Sequence, residues 1–89
     1  MRESYLEITF RRGRAVAAYY YLPRRAGQKS FRTEEVSPGI LVDYARGGRA
    51  IGIEITSPSH VSLAAVNRVL RGLDLPVLTN REFAPLRAA

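Results

Sequence analysis

The chain has 89 residues, 46% of them apolar, and no cysteine, so it forms one domain with a modest core and carries no disulfide framework, thiol nucleophile or thiolate metal site. Its net charge of +6 comes from 14 basic residues, 13 of them arginine, which favours encounters with polyanions. Its apolar runs are far shorter than the roughly 20 residues that cross a bilayer, and no apolar signal core follows Arg2 and Glu3, so we expect a cytoplasmic protein without membrane contact.

The first two predicted strands form a hairpin around Gly13. Residues 5–10 alternate apolar and polar side chains, which is typical of a half-buried strand. Residues 15–22 form the second strand, because three consecutive tyrosines favour a strand over the helix that the alanines would also allow. Alternation places Tyr20 on one face and Tyr19 and Tyr21 on the other. Tyr19 and Tyr21 either cover a sheet face with wet hydroxyls or stack on nucleic-acid bases.

Three further strands follow a polar loop opened by Pro23. Residues 31–36 form a short strand, which Glu34 and Glu35 make polar and typical of a sheet edge. A turn at residues 37–39 leads into a hairpin around Gly47 and Gly48. Its strands each place alternate apolar residues on one face: Ile40, Val42, Tyr44, and Ile51, Ile53, Ile55. We expect this hairpin to form the core of a five-stranded antiparallel sheet, most simply a meander, over about residues 5–56.

One amphipathic helix is predicted from about Pro58 to Arg71. Ser57 supplies an N-cap hydroxyl and Pro58 suits the first helical position. Gly72 is the candidate C-terminal cap. Apolar residues recur on one side of this helix and polar residues on the other, namely Leu63, Val66, Val69, Leu70 and Leu73 against His60, Asn67, Arg68 and Arg71.

The segment from residue 77 to residue 89 has no strong period. It either docks through Phe83 or Leu86 or forms a frayed tail. The sequence therefore predicts a single α+β domain over residues 1–89, with a small antiparallel sheet packed by one C-terminal helix.

The order of these features resembles the small prokaryotic domain-of-unknown-function family twenty-two eighty-three. The resemblance covers about residues 5–60 and includes the tyrosine-rich strand, Glu35-Val36, a Pro-Gly turn and the central hairpin. Its most specific residues are Val42, Asp43 and Tyr44 together with Gly52, Ile53, Glu54 and Ile55. Family members usually carry a Tyr-Asp pair near the first turn and a second acid before the aromatic strand. This chain instead has Phe10-Arg11 and no acid between Glu7 and Glu34.

The resemblance implies a compact β-sheet with a helix and no established biochemistry. Some members lie in gene pairs that look like toxin and antitoxin systems, which favours a binding module over an enzyme. The signature residues Asp43, Tyr44, Gly52 and Glu54 have no assigned role in the family.

Three polar side chains were weighed as a reaction centre. Alternation places Asp43 and Glu54 on the face opposite the apolar set, where they either bind a metal or share a proton, or pair with arginines such as Arg49. His60, the only histidine, lacks a nucleophile or carboxylate beside it in sequence and is typical of polar surface. The glycines of the central hairpin do not form a phosphate-binding loop, because no helix, lysine and hydroxyl follow them.

The arginines give a physical prediction about binding. In a meander the second and fourth connections lie at the same end of the sheet, and six basic residues would meet there as a polyanion-binding cluster: Arg24, Arg25, Lys29, Arg32, Arg46 and Arg49. Arg11, Arg12 and Arg14 would lie at the other end. The alternatives are that loop arginines only keep a small protein soluble or reflect a GC-rich genome.

We predict a non-enzymatic interaction module, antitoxin-like or regulatory, that binds a partner protein and no cofactor. Homodimerisation is compatible with outer tyrosines and an exposed edge. The alternative is a nucleic-acid-binding protein that uses the loop arginines with Tyr19 and Tyr21. A third hypothesis is a small enzyme built around Asp43, Glu54 and His60.

Overall fold

A computed structural model describes residues 3–87 of the chain. Arg2, on which one expectation depends, lies outside this range. So do the last two residues of the predicted tail, Ala88 and Ala89. The elements in chain order are β1 (Tyr5–Arg11), β2 (Arg14–Tyr21), β3 (Arg32–Ser37), β4 (Ile40–Tyr44), β5 (Ala50–Ile55), a 3₁₀ turn (Pro58–His60), α1 (Leu63–Gly72) and α2 (Asn80–Arg87). The predicted α+β class, with a five-stranded antiparallel sheet and a C-terminal helix, is confirmed.

The strand order is β1-β2-β5-β4-β3, with every pair antiparallel. The predicted meander order is therefore wrong, because β2 pairs with β5 rather than with β3. Residues 22–31 connect β2 to β3 and can span about 33 Å, whereas three strand spacings are only about 14 Å. The connection therefore allows β3 to reach the far edge and leaves the centre of the sheet to β5, the most buried strand.

The central hairpin carries the core as predicted. Across the sheet Tyr20 pairs with Ile53 and Ile53 with Val42, so one face presents a continuous apolar row. Ile53 and Val42 are fully buried. The helices cover this face, and the core joins the sheet to residues of both: Val66, Leu70, Phe83 and Leu86. Burial of such a row is the main stabilising contribution in a domain of this size.

The first helix begins later than predicted. Residues Pro58–His60 form only a 3₁₀ turn, in which no side chain caps the start. Val61 is extended and buried, which interrupts the helix. Ser62 is the N-cap instead, and its hydroxyl accepts a hydrogen bond of 3.0 Å from the Ala65 amide. The sequence favoured Ser57 as the N-cap because it precedes a proline. Burial of Val61 in an extended conformation stabilises the fold more than a helical residue at that position would.

The end of α1 also differs from the prediction, because Gly72 is still helical. Leu73 is the C-cap, and Asp74 takes the left-handed conformation with φ 58°. The Leu75 amide then donates to the Leu70 carbonyl at 2.9 Å, which satisfies a carbonyl at the helix end. Asp74 thus takes the conformational role that was assigned to glycine.

Residues 80–87, within the predicted tail, form a docked helix. Thr79 and Glu82 form a reciprocal capping box, in which the Thr79 amide donates to Glu82 Oε1 and the Glu82 amide donates to Thr79 Oγ1. Phe83 and Leu86 are buried against the core. Of the two alternatives left open for this segment, docking is the one observed.

Asn67 was predicted on the solvated side of the helix and is instead buried. Its Nδ2 donates to the Leu78 carbonyl at 2.9 Å and its Oδ1 accepts from the Leu78 amide at 2.8 Å. A side-chain amide can satisfy both backbone groups of an extended residue in this way. Asn67 therefore fixes the segment that leads from α1 into α2.

Candidate interaction surfaces

The second face of the sheet, called the open face here, lies opposite both helices. Its side chains come from alternate positions of all five strands. They include three tyrosines and four acids, namely Tyr5, Tyr19, Tyr21, Glu7, Glu35, Asp43 and Glu54. These four acids are half of the eight in the chain. The open face is therefore locally acidic in a protein whose net charge is strongly positive.

Tyr19 connects four strands of this face. Its hydroxyl donates to Oδ2 of Asp43 on β4 at 2.6 Å, although β5 lies between β2 and β4. Thr33 on β3 donates its hydroxyl to Oδ1 of the same carboxylate. Both oxygens of Asp43 are thus engaged by neutral hydroxyls, and the alternation that put Asp43 on this face is confirmed.

Gly52 explains how Tyr19 reaches across β5. A Cβ atom at position 52 would lie 1.9 Å from the Tyr19 hydroxyl oxygen and 2.5 Å or less from two ring carbons. The tyrosine ring therefore lies directly on the glycine backbone. A glycine inside a strand often marks such a close approach, and here it brings Tyr19, Asp43 and Gly52 into one arrangement.

The Tyr19 pKa is raised well above its ordinary value. Burial is the largest cause, followed by the hydrogen bond to Asp43 and the negative charge of that carboxylate. Arg24 acts in the opposite direction. The hydroxyl therefore keeps its proton and remains a donor to a higher pH than an ordinary tyrosine does.

Tyr5, which is exposed, and Tyr21, which is half-buried, complete the aromatic cluster. Their rings stack with centroids 4.4 Å apart, and Tyr21 meets Tyr19 edge to face at 4.6 Å. The Tyr21 hydroxyl donates to Glu7 at 3.2 Å. These contacts hold each of the three rings in a fixed orientation relative to the sheet. Fixed rings lower the entropic cost of placing a ligand on them.

Asp43 and Glu54 do not form the predicted pair with Arg49. Asp43 binds two hydroxyls, and its direct neighbour across the strands is Gly52, whereas Glu54 lies opposite Tyr19 and Leu41. Within residues 3–87, no three histidine, cysteine or acidic side chains gather as metal ligands. The arrangement fixes a tyrosine and does not orient two carboxylates towards a common atom.

His60 lies in the exposed 3₁₀ turn rather than on a helix. It borders an open hollow of about 430 Å³ at the end of the sheet that carries the β1–β2 turn. Asp43 lies on the open face, so the structure does not bring His60 together with Asp43 and Glu54. His60 is thus apart from Asp43 and Glu54, which occupy diagonal positions of the open face on neighbouring strands.

The six basic residues predicted to share one sheet end do so, although the strand order is different. β2 ends beside the start of β5, where Tyr21 pairs with Gly52, and β3 begins beside the end of β4, where Arg32 pairs with Tyr44. The loops at residues 22–31 and 45–49 therefore lie together and form what is called the arginine end here. Arg11, Arg12 and Arg14 lie at the β1–β2 turn at the opposite end.

Arg24 and Arg32 each contact strand residues. The Arg24 guanidinium donates to the Ile51 carbonyl at 2.8 Å and is half-buried beside Tyr21. Arg32 pairs with Glu34 at 3.1 Å and lies 4.3 Å from the Tyr44 ring centroid. Arg24 is the half-buried member of the six, whereas the other five are exposed: Arg25, Lys29, Arg32, Arg46 and Arg49.

Phe31 also belongs to the arginine end, although it was not among the predicted binding residues. Its ring is 59% exposed, and the Arg46 guanidinium carbon lies 4.3 Å from its centroid. A hollow of about 480 Å³ opens beside them, lined by residues 26–31, Ala45 and Arg46. One sequence signal could have identified Phe31, because it lies between a basic loop and a polar strand. Neither neighbour needs an aromatic side chain for packing.

No helix in the described part of the chain has the length and apolar character needed to cross a bilayer. Residues 17–59 match the family model described as "Protein of unknown function (DUF2283)", which confirms the resemblance over a slightly shorter range than expected. No curated protein and no solved structure matches the chain. The matched range runs from β2 through the 3₁₀ turn and contains Tyr19, Thr33, Asp43 and Gly52.

Proposed function

We propose, for a chain whose residues 17–59 match the model of this family of unknown function, that the protein is a non-enzymatic interaction module. Its open face binds a partner protein that presents a basic segment. The observation that carries this proposal is the gathering of half of the acids and three ordered tyrosines on the one sheet face that the helices leave uncovered. The antitoxin-like or regulatory role implied by the family would act through such binding.

The chemistry of the open face supports a cationic ligand. Tyrosine faces attract lysine and arginine side chains, and the carboxylates of Glu7 and Glu54 accept hydrogen bonds from them. Arg24 already lies 5.7 Å from the Tyr21 ring centroid, which is an intramolecular example of the same contact. A partner that supplies further cations would meet both an aromatic surface and opposite charge.

Charge also distinguishes a basic partner from a second copy of this chain. A symmetric face-to-face dimer would bring the open-face acids of one copy against those of the other, which is unfavourable. From strand spacing and length the face measures about 24 by 20 Å, so about 500 Å² is available on this side. That area is typical of the smaller, transient class of interfaces, below about 1,200 Å² in total.

The test is a pull-down from native cell extract after nuclease treatment, with three baits. The first is the wild-type chain, the second is Glu7→Lys with Glu54→Lys, and the third is Glu3→Lys with Glu34→Lys. The second and third baits have the same net charge, but only the second changes the open face. Circular dichroism establishes that all three are folded.

The proposal predicts a stoichiometric basic protein that is retained by the wild type and the control bait and lost with the open-face bait. Equal retention by all three baits would contradict it. An eluate that contains only bait, together with concentration-dependent dimerisation in sedimentation, would contradict the proposal. It would show that the chain associates with itself rather than with a partner protein.

A further inference from the structure

The geometry points to a second binding site, at the arginine end, for single-stranded nucleic acid. This site is separate from the open face and does not depend on the function proposed for it. The loops at residues 22–31 and 45–49 contain five basic residues and no acid. Because Arg24 is held against the Ile51 carbonyl, the cations that face outward are Arg25, Lys29, Arg46 and Arg49.

The stack of Arg46 on Phe31 adds aromatic recognition to this charge. One part of the Phe31 ring is covered by the guanidinium, yet 59% of the residue stays exposed. Exposing that much apolar ring costs free energy that folding does not recover. An exposed aromatic ring beside arginines is the arrangement by which proteins stack unpaired bases while they contact the neighbouring phosphates.

The shape of the site favours one nucleotide at a time. The hollow of about 480 Å³ lies between the loop that carries Lys29 and the turn that carries Arg46, and Phe31 forms part of its wall. This size is within the range of small-ligand sites. Bases in a duplex are paired and stacked on each other, so they cannot enter such a hollow. The site therefore discriminates single strands from duplexes.

The loop itself is fixed in position. The Gln28 amide donates to the Arg25 carbonyl at 3.1 Å, and the Gln28 side chain accepts from the Arg25 amide at 2.9 Å. The Phe31 amide donates to the Tyr44 carbonyl at 2.8 Å, which attaches the end of the loop to β4. A loop that is held by an internal turn and at its end presents its cations without a large ordering cost on binding.

The experiment measures binding of a fluorescein-labelled 12-nucleotide oligothymidylate by anisotropy over a range of salt concentrations. Comparators are a duplex of the same length and inorganic polyphosphate. With four phosphate contacts, the slope of log K against log salt is expected near −3, from about −0.7 per contact on single strands. Lys29→Glu with Arg46→Glu should reduce that slope by about half and weaken binding at least tenfold.

The opposite end of the sheet supplies matched controls. Arg12→Glu with Arg14→Glu makes the same change in net charge, and Phe10→Ala removes a phenylalanine that is 49% exposed. Phe31→Ala is expected to weaken oligothymidylate binding about tenfold and to leave polyphosphate binding within twofold. The two controls should stay within twofold of the wild type after correction for net charge.

Three results would overturn the inference. The first is equal affinity for the single strand and the duplex. The second is an unchanged affinity of Phe31→Ala, which would reduce the site to a non-specific polyanion surface. The third is an equal effect of the mutations at both ends. The wild-type salt slope and duplex comparison do not depend on the folding of any variant.

Discussion

The hydroxyl of Tyr19 on β2 donates to Asp43 on β4 across the whole width of β5, over the backbone of Gly52. The contact makes Gly52 a steric requirement of the open face rather than of the strand. Its backbone φ lies outside the left-handed region, so alanine would be acceptable there if the tyrosine were absent. Tyr19 and Gly52 are therefore coupled.

Gly52→Ala is expected to destabilise the protein by about 1–3 kcal/mol, because the new methyl group displaces the Tyr19 ring. In a Tyr19→Ala background the same change should cost nothing or stabilise by up to about 1 kcal/mol, since alanine suits a strand better than glycine. Urea denaturation of the four proteins in this double-mutant cycle gives the coupling free energy. Additive effects would contradict the close approach.

Tyr19 also gives the stability of the fold a dependence on alkaline pH. Its pKa in the folded state is raised above the ordinary value of 10.0 by burial and by Asp43. This stabilising contribution is fully present below pH 10.0 and is lost as the pH rises towards the folded-state pKa, because the unfolded chain loses the proton first. Tyr19→Phe should flatten the decline of unfolding free energy above pH 10.0.

Asp43→Asn tests the source of that shift. It removes the negative charge beside the phenol, so the Tyr19 pKa should fall towards its ordinary value, although burial still holds it above that value. Tyrosinate absorbance during alkaline titration measures the change, and the difference from the matching Tyr19→Phe protein isolates this residue from the other four tyrosines. An identical titration curve for Asp43→Asn and wild type would rule out the charge as a cause.

Asn67→Ala should release the second helix. The change leaves the Leu78 amide and carbonyl without their side-chain partners, which we expect to cost about 2–4 kcal/mol. Hydrogen exchange should become faster at Leu78 and through α2. Asn80→Ala is the control, because Asn80 is exposed, and it should change stability by less than about 0.5 kcal/mol.

The true start of α1 can be located by a pair of serine substitutions. Ser62→Ala removes the hydroxyl that caps the helix and should cost about 1 kcal/mol. Ser57→Ala should cost little, since Ser57 makes no capping hydrogen bond. Equal losses at the two positions would place the helix start nearer to Pro58.

The strands could be predicted because each is specified by neighbours in sequence. Alternation from Ile40 to Ile55 and the glycines between the strands determine the central hairpin without reference to the rest of the chain. The partner of β2 is not specified in this way. It depends on which strand fills the centre of the sheet and on a connection long enough to allow either order, so the pairing of Tyr19 with Glu54 could not be deduced.

The helix boundaries were predicted wrongly for a different reason. The residues that cap both helices are recognisable in the sequence. Thr79 and Glu82 have the spacing of a capping box, and Ser62 lies directly before an apolar helical stripe. The prediction used neither signal and placed the only helix between Pro58 and Arg71, with Gly72 as its C-terminal cap. Asn67 shows the limit of periodicity: a polar residue next to an apolar stripe can turn inward when a backbone segment needs its amide.

The arginine end was predicted correctly from an incorrect topology. Any fully antiparallel sheet in which β2 and β4 run in the same direction puts the connections that follow them at the same end, whatever the strand order. The alternating direction of successive strands along the chain was sufficient to place Lys29 and Arg46 at the same end. The contact between Arg46 and Phe31 depends on loop conformation, which no local pattern encodes.

The position of β5 determines when this protein can fold during its synthesis. The hairpin of β1 with β2 and the hairpin of β3 with β4 share no strand pairing, and β5 is the strand that joins them. A nascent chain that ends before Ala50 thus consists of two separate ribbons, each marginally stable in water. Their exposed edges are open to pairing with other chains, so a ribosome that stalls in the first half of the message would release an aggregation-prone fragment rather than a partly active domain.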